Sequence, residues 1–146
     1  MSVAEKISDK IINNHHMAIE NRLCSRFRTS KSDCSLCADL CPVNAISISE
    51  KGAEIQGGCI DCGVCISACP NGAFMINGRD DKKIIGEIGA RVKGQGLKVF
   101  RVSCEHGDGS SDLIVPCLSR LTEALLLAPV KTGVSTIEIL RPSCEK

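Results

Sequence analysis

Tryptophan and tyrosine are absent from this chain, and phenylalanine occurs only three times. So few aromatic rings leave little platform on which exposed bases could stack. The net charge of +1 asks for no nucleic-acid partner either. No apolar run approaches the roughly 20 residues that span a bilayer as a helix, so no transmembrane segment is expected. The opening residues, Met1-Ser2-Val3-Ala4-Glu5-Lys6, lack the apolar centre of a secretion signal. A reducing, cytoplasmic setting is therefore the expectation. The chain also has no glycine fingerprint for a nucleotide and no credible catalytic triad. Its 146 residues suffice for one ordinary domain or two small ones.

What the chain has is cysteine, 11 in all. Cys59, Cys62, Cys65 and Cys69 stand in the pattern C-x2-C-x2-C-x3-C and are followed at once by Pro70. Sliding the sequence against itself by 28 residues sets Cys34 on Cys62, Cys37 on Cys65, Cys41 on Cys69 and Pro42 on Pro70. Ala45 then falls on Ala73, Ile46 on Phe74 and Ile48 on Ile76, an internal duplication. One position breaks the match, because Lys31 stands opposite Cys59. The nearest upstream thiol is Cys24, so residues 25–33 read as an insertion that lengthens the first binding loop. That loop carries Arg26, Arg28 and Lys31 around Phe27. Tetrahedral zinc also uses C-x2-C pairs, but it gains nothing from two repeated runs that end in Cys-Pro. A disulfide scaffold suits short secreted chains and an even cysteine count.

Over about residues 24–78 these runs resemble a two-cluster bacterial-type ferredoxin, whose C-x2-C-x2-C-x3-C-P segments hold 4Fe–4S cubes. In that family the last cysteine of each run crosses to the other cluster. The resemblance implies cluster I on Cys24, Cys34, Cys37 and Cys69, and cluster II on Cys59, Cys62, Cys65 and Cys41. The second set has the family spacing in full. The first departs at Cys24, which leaves a 3Fe–4S cluster open there. It also implies two small antiparallel hairpins and two short helices around the cubes, starting from β-like segments at 45–49 and 73–77. So few residues bury too little apolar surface to fold unaided, so metal ligation is expected to supply much of the folding free energy.

The fold class expected is α+β: a two-cluster module at 24–78, preceded by an N-terminal docking helix at 1–23 and followed by a small α/β unit at 79–146. In the first segment Val3, Ile7, Ile11, Ile12, Ala18, Ile19 and Leu23 recur at helical spacing. Ser2 would cap this helix, and His15 and His16 would lie on its surface. Residues 33–78 carry five acidic side chains against one basic, between mildly basic flanks. Beyond Gly78, Ile84, Ile85, Ile88 and Val92 predict a helix that stops at Gly94-Gln95-Gly96. A strand at 97–102, a loop at 105–111, a helix from Pro116 or Cys117 to Ala128 ended by Pro129, and a strand at 136–140 complete the chain.

A strand–helix–strand order normally gives a parallel pair with a right-handed crossover. It would put Cys104, Cys117 and Cys144 at the carboxyl edge of the sheet, where α/β folds place their sites. With His106 they form a candidate third site, a metal centre such as 2Fe–2S or zinc, or a reactive thiol pair. Cys117 at a helix N-terminus would have a depressed pKa. Buried spectator cysteines are the plainer alternative. The arrangement of Cys104 with Pro116-Cys117-Leu118-Ser119-Arg120-Leu121 is similar to the delta subunit of heterodisulfide-reductase-linked hydrogenases, in which a cysteine-rich domain carries a 2Fe–2S centre between partner enzymes. The function expected is an iron–sulfur electron-transfer subunit of a larger oxidoreductase, in a hetero-oligomer whose other subunits give and take electrons. The alternatives are a redox enzyme component working at Cys104, Cys117 and Cys144, or an iron–sulfur regulatory module.

Overall fold

The computed structural model describes residues 16–107 and 110–141. Strand β1 (Met17–Ile19) opens the described chain and is followed by a 3-10 turn, Asn21–Leu23. Two short helices, α1 (Ser25–Arg28) and α2 (Leu36–Asp39), lead to the hairpin β2 (Ile46–Ser49) and β3 (Gly52–Ile55). Helix α3 (Val64–Ala68) and strand β4 (Phe74–Ile76) repeat the pattern of α2 and β2. Then come α4 (Asp81–Gln95), β5 (Val99–Cys104), β6 (Leu113–Val115), a 3-10 turn at Leu118–Arg120, α5 (Glu123–Lys131) and β7 (Thr136–Leu140).

Three small sheets organise these elements. β2 and β3 pair as an antiparallel hairpin, with Ile46 opposite Ile55 and Ser49 opposite Gly52. β1 lies antiparallel to β4, with Met17 opposite Ile76 and Ile19 opposite Phe74. The third sheet is parallel in the order β6-β5-β7. Two apolar cores follow. Met17, Cys37, Ala53, Cys65, Ile66, Ala73 and Phe74 form one. Ile84, Ile88 and Val92 of α4 meet Phe100, Val102, Leu113, Val115, Leu125, Ala128 and Val134 in the other. Full burial of side chains such as Ile88 and Phe100 stabilises the second core by about 1.5–3 kcal/mol each.

Helix α4 has the limits that its residues favour. The Asp80 carboxylate accepts the Lys83 N–H at 2.8 Å, the cap for the first turn. Gly96, in the left-handed region at φ 61°, closes the last turn by donating to the Val92 carbonyl.

Three expectations are corrected. The helix expected at 1–23 is replaced over its last residues by β1 and a turn, because Met17–Ile19 supplies a partner strand for β4; the rest of that helix, His15 included, lies outside the described residues. The helix expected from Pro116 or Cys117 begins instead at Glu123, where the Thr122 hydroxyl accepts the Leu125 N–H at 3.4 Å. It runs through Pro129 to Lys131, the proline being tolerated close to the helix end. Strand β6 adds to the expected elements. Only residues 105–112 separate it from β5, fewer than the dozen or so that a parallel crossover normally takes.

Candidate metal centre

The duplicated runs fold alike. Asn44 and Gly72, equivalent in the repeat, are both left-handed, at φ 51° and 64°. Each donates its N–H to the carbonyl three residues back, Cys41 or Cys69, at 3.2 Å. This turn aims the next amide at a sulfur: Ala45 N–H donates to Cys41 Sγ at 3.2 Å and Ala73 N–H to Cys69 Sγ at 3.4 Å. Ala45 and Ala73 are both buried, so neither amide has water as an alternative. Cys37 and Cys65, again equivalent, are the most buried thiols of the two runs.

Two small cavities of about 20 Å³ each lie among these turns. The first is lined by Cys24, Cys34, Cys37 and Cys69, with Ser25, Leu36, Ile48, Pro70, Asn71 and Phe74. The second is lined by Cys41, Cys59, Cys62 and Cys65, and otherwise by Met17, Val43, Ala45, Ile46, Ile55, Ile60, Gly63 and Val64. Each of the two expected ligand sets thus faces one cavity. Cys41 and Cys69 each face the cavity of the other run. Cys24, seven residues from the position the repeat would use, reaches the first cavity because the turn at Asn21–Leu23 and α1 carry the chain back to it.

The donor set fits an iron–sulfur cube. Apart from sulfur the second cavity is walled by carbon, and the backbone directs N–H groups at Cys41 and Cys69, as the negative charge of ligated thiolates requires. Among the described residues no three His, Cys, Asp or Glu side chains converge as on a single ion. Four thiols line each cavity, the ligand number of a 4Fe–4S cube.

Burial pushes the Cys37 thiol up to about 11 and the Cys65 thiol up to about 12, and neighbouring thiols add to both shifts. Cys59 is raised as well, first by burial and then by Asp61 and the thiols beside it. Bare thiolates are disfavoured in these walls, and a bound cation would favour them.

The third candidate site is not assembled in the same way. Cys104 ends β5 and is buried, Cys117 follows β6 by two residues and is half-buried, and His106 is exposed. Both thiols lie at the carboxyl edge of the parallel sheet, with Cys104 opposite Val115 in the register. The Ser119 hydroxyl donates to Cys117 Sγ at 3.2 Å. Helix α5 starts at Glu123, so no α-helix terminus stands at Cys117. Cys144 lies outside the described residues.

Two contributors escape a reading of the sequence. Met17 is 3% exposed and lines the second cavity; only its place in β1 reveals this. Asp61, left-handed at φ 50°, receives the His16 N–H on both carboxylate oxygens at 3.1 Å and clips β1 to the second run. His16 itself is exposed.

A family model described as a 4Fe-4S binding domain matches residues 55–75, the segment that contains Cys59, Cys62, Cys65 and Cys69. Residues 55–75 thus carry a 4Fe–4S binding domain. That domain supports a role in electron transfer. No match was found among curated proteins or among solved structures. Among the described residues no helix is long and apolar enough to cross a membrane.

Proposed function

We propose that the chain carries two 4Fe–4S clusters, one on Cys24, Cys34, Cys37 and Cys69 and one on Cys59, Cys62, Cys65 and Cys41, and relays electrons as a subunit of a larger oxidoreductase. The observation that carries this reading is the pair of equal cavities, each faced by four cysteines that come from both runs. When bound, such clusters supply reversible one-electron transfer. The residues of the chain set the conditions for it. Four thiolates per cavity leave no iron position open to a substrate, so the role is conduction rather than catalysis. The amides of Ala45 and Ala73 stabilise negative charge on the crossing sulfurs. Met17 and Ile46 wall the second site with carbon.

Other oxidoreductase subunits are the proposed donor and acceptor. Leu36, Leu40, Val43 and Ile60 are exposed next to ligand cysteines, and Leu23 and Phe27 are exposed on either side of Cys24. A rim of apolar side chains around a metal centre suits a docking face. Iron and acid-labile sulfide analysis after anaerobic purification tests the reading. About eight irons per chain are expected, and about seven would indicate a 3Fe–4S cluster on the first set. Zinc, or about four irons, overturns the two-cluster proposal.

A further inference from the structure

Arg120 is the largest fully buried side chain among the described residues, with 1% of its surface exposed. Its Nη2 pairs with Asp81, while Nε and Nη1 have no hydrogen-bond partner. A buried guanidinium usually has its donors met. Packing alone would be served as well by an apolar side chain of the same volume.

Its neighbour is the loop of the second cavity. A Cβ at Gly63 would collide with Arg120 Cδ and lie 3.0 Å from Arg120 Cβ. Gly63 lines the second cavity between Cys62 and Cys65, and its φ of 78° is a left-handed conformation that glycine adopts freely. Beside it the Ser67 hydroxyl of α3 donates to the Ser119 carbonyl at 2.5 Å. The turn at Leu118–Arg120 is thus seated on the ligand-bearing segment, and the stem of Arg120 lies against its one residue without a side chain.

We propose that Arg120 is a positioning and charge-setting residue for the second cluster: it clamps the Cys62–Cys65 loop and holds that cluster at a higher reduction potential than the first. The inference rests on the two-cluster reading above. A cation near a cluster favours its more negative, reduced form. Arg120 is desolvated, whereas the Asp81 side chain keeps 28% of its surface in water, so solvent screens the anion more than the cation. Asp80, Lys82 and Glu123 share the cleft with the pair, screened by solvent, and so does Cys69 of the first set; the close packing contact of Arg120, however, is with Gly63 in the loop of the second set. On the side of the first set, Arg26 follows Cys24 by two residues but does not line the first cavity; it is only half-buried, donates Nη1 to the Ser32 carbonyl at 2.5 Å and leaves its buried Nε without a partner. Unequal potentials would give the relay a direction, towards the site beneath the C-terminal unit.

The test is an anaerobic redox titration of the reconstituted full chain, followed by electron paramagnetic resonance. The signal of the second cluster is assigned as the one altered in Cys62→Ser. Arg120→Met is expected to shift that midpoint to more negative values and leave the other in place. Arg120→Lys should restore most of the shift, and Asp81→Asn should move the same midpoint upward. Opposite signs for Arg120→Met, which removes the cation, and Asp81→Asn, which removes the anion, are what a merely structural role would not produce. Should Arg120→Met fail to fold, Arg120→Lys and Asp81→Asn still decide. Unmoved midpoints, shifts of one sign in both charge variants, or equal shifts in both clusters overturn the proposal. A preparation without two clusters would instead overturn the reading beneath it.

Discussion

Each cysteine at these sites has a geometry set by its neighbours in sequence and a charge state set by its neighbours in space. The repeat makes Cys37 and Cys65 equivalent, and burial raises both thiols, to about 11 and about 12. Whether buried or released into solvent, these thiols are protonated at neutral pH without iron, and iron must displace those protons. Acid returns them. Iron retention against a chelator should accordingly weaken from about pH 8 to about pH 6, by about tenfold per pH unit for each thiol proton involved; loss rates that are flat across this range would contradict it. Gly63 gives a second prediction at this scale. Alanine there adopts a left-handed conformation at a cost of about 1–2 kcal/mol and meets Arg120 Cδ. Gly63→Ala should destabilise the fold by at least that much in denaturant unfolding, whereas Gly58→Ala, at a left-handed position with open space around it, should lose only the conformational part. The spacing C-x2-C-x2-C-x3-C-P marked the candidate ligands, apart from Cys24, which departs from it. Nothing in the sequence marked Arg120 or Met17, because their roles come from contacts with segments far along the chain, at Gly63 for the one and at the second cavity for the other.

Short elements show the limit of pattern reading. Val3 to Leu23 carries helical periodicity, yet Met17–Ile19 is a strand. Three residues fit either period, and the open edge of β4 decides between them. Helix α4 is the opposite case. Its 15 residues give Ile84, Ile88 and Val92 one consistent face, an N-cap at Asp80 and a left-handed stop at Gly96, so its type and its end could both be read directly. Ile88, 2% exposed, lies in the middle of that face. Ile88→Ala should cost about 2–5 kcal/mol. Since Ile88 belongs to the core that excludes the candidate ligand cysteines, the visible absorbance of the proposed clusters should fade at higher denaturant than the helical signal of α4. Simultaneous loss would show the two cores to be one cooperative unit.

On the scale of the whole molecule, the two cores rest on different supports. The one around α4 and the parallel sheet is built from carbon alone. The other counts Cys37 and Cys65 among its buried members and has Cys24, Cys59 and Cys69 packed against it. Removing iron should therefore unfold residues 17–77 while α4, β5 and β7 persist, giving a partial loss of secondary structure by circular dichroism and amide exchange confined to the first part of the chain. Full retention of structure after chelation would contradict this. By itself the sequence marked the candidate ligand residues, the duplication and helix α4, because metal ligation and helix formation act through fixed local spacings. Only the tertiary structure decided that Met17–Ile19 is a strand and that Arg120 lies on Gly63. These depend on pairing and packing between distant segments, and the local spacing of residues carries no record of them.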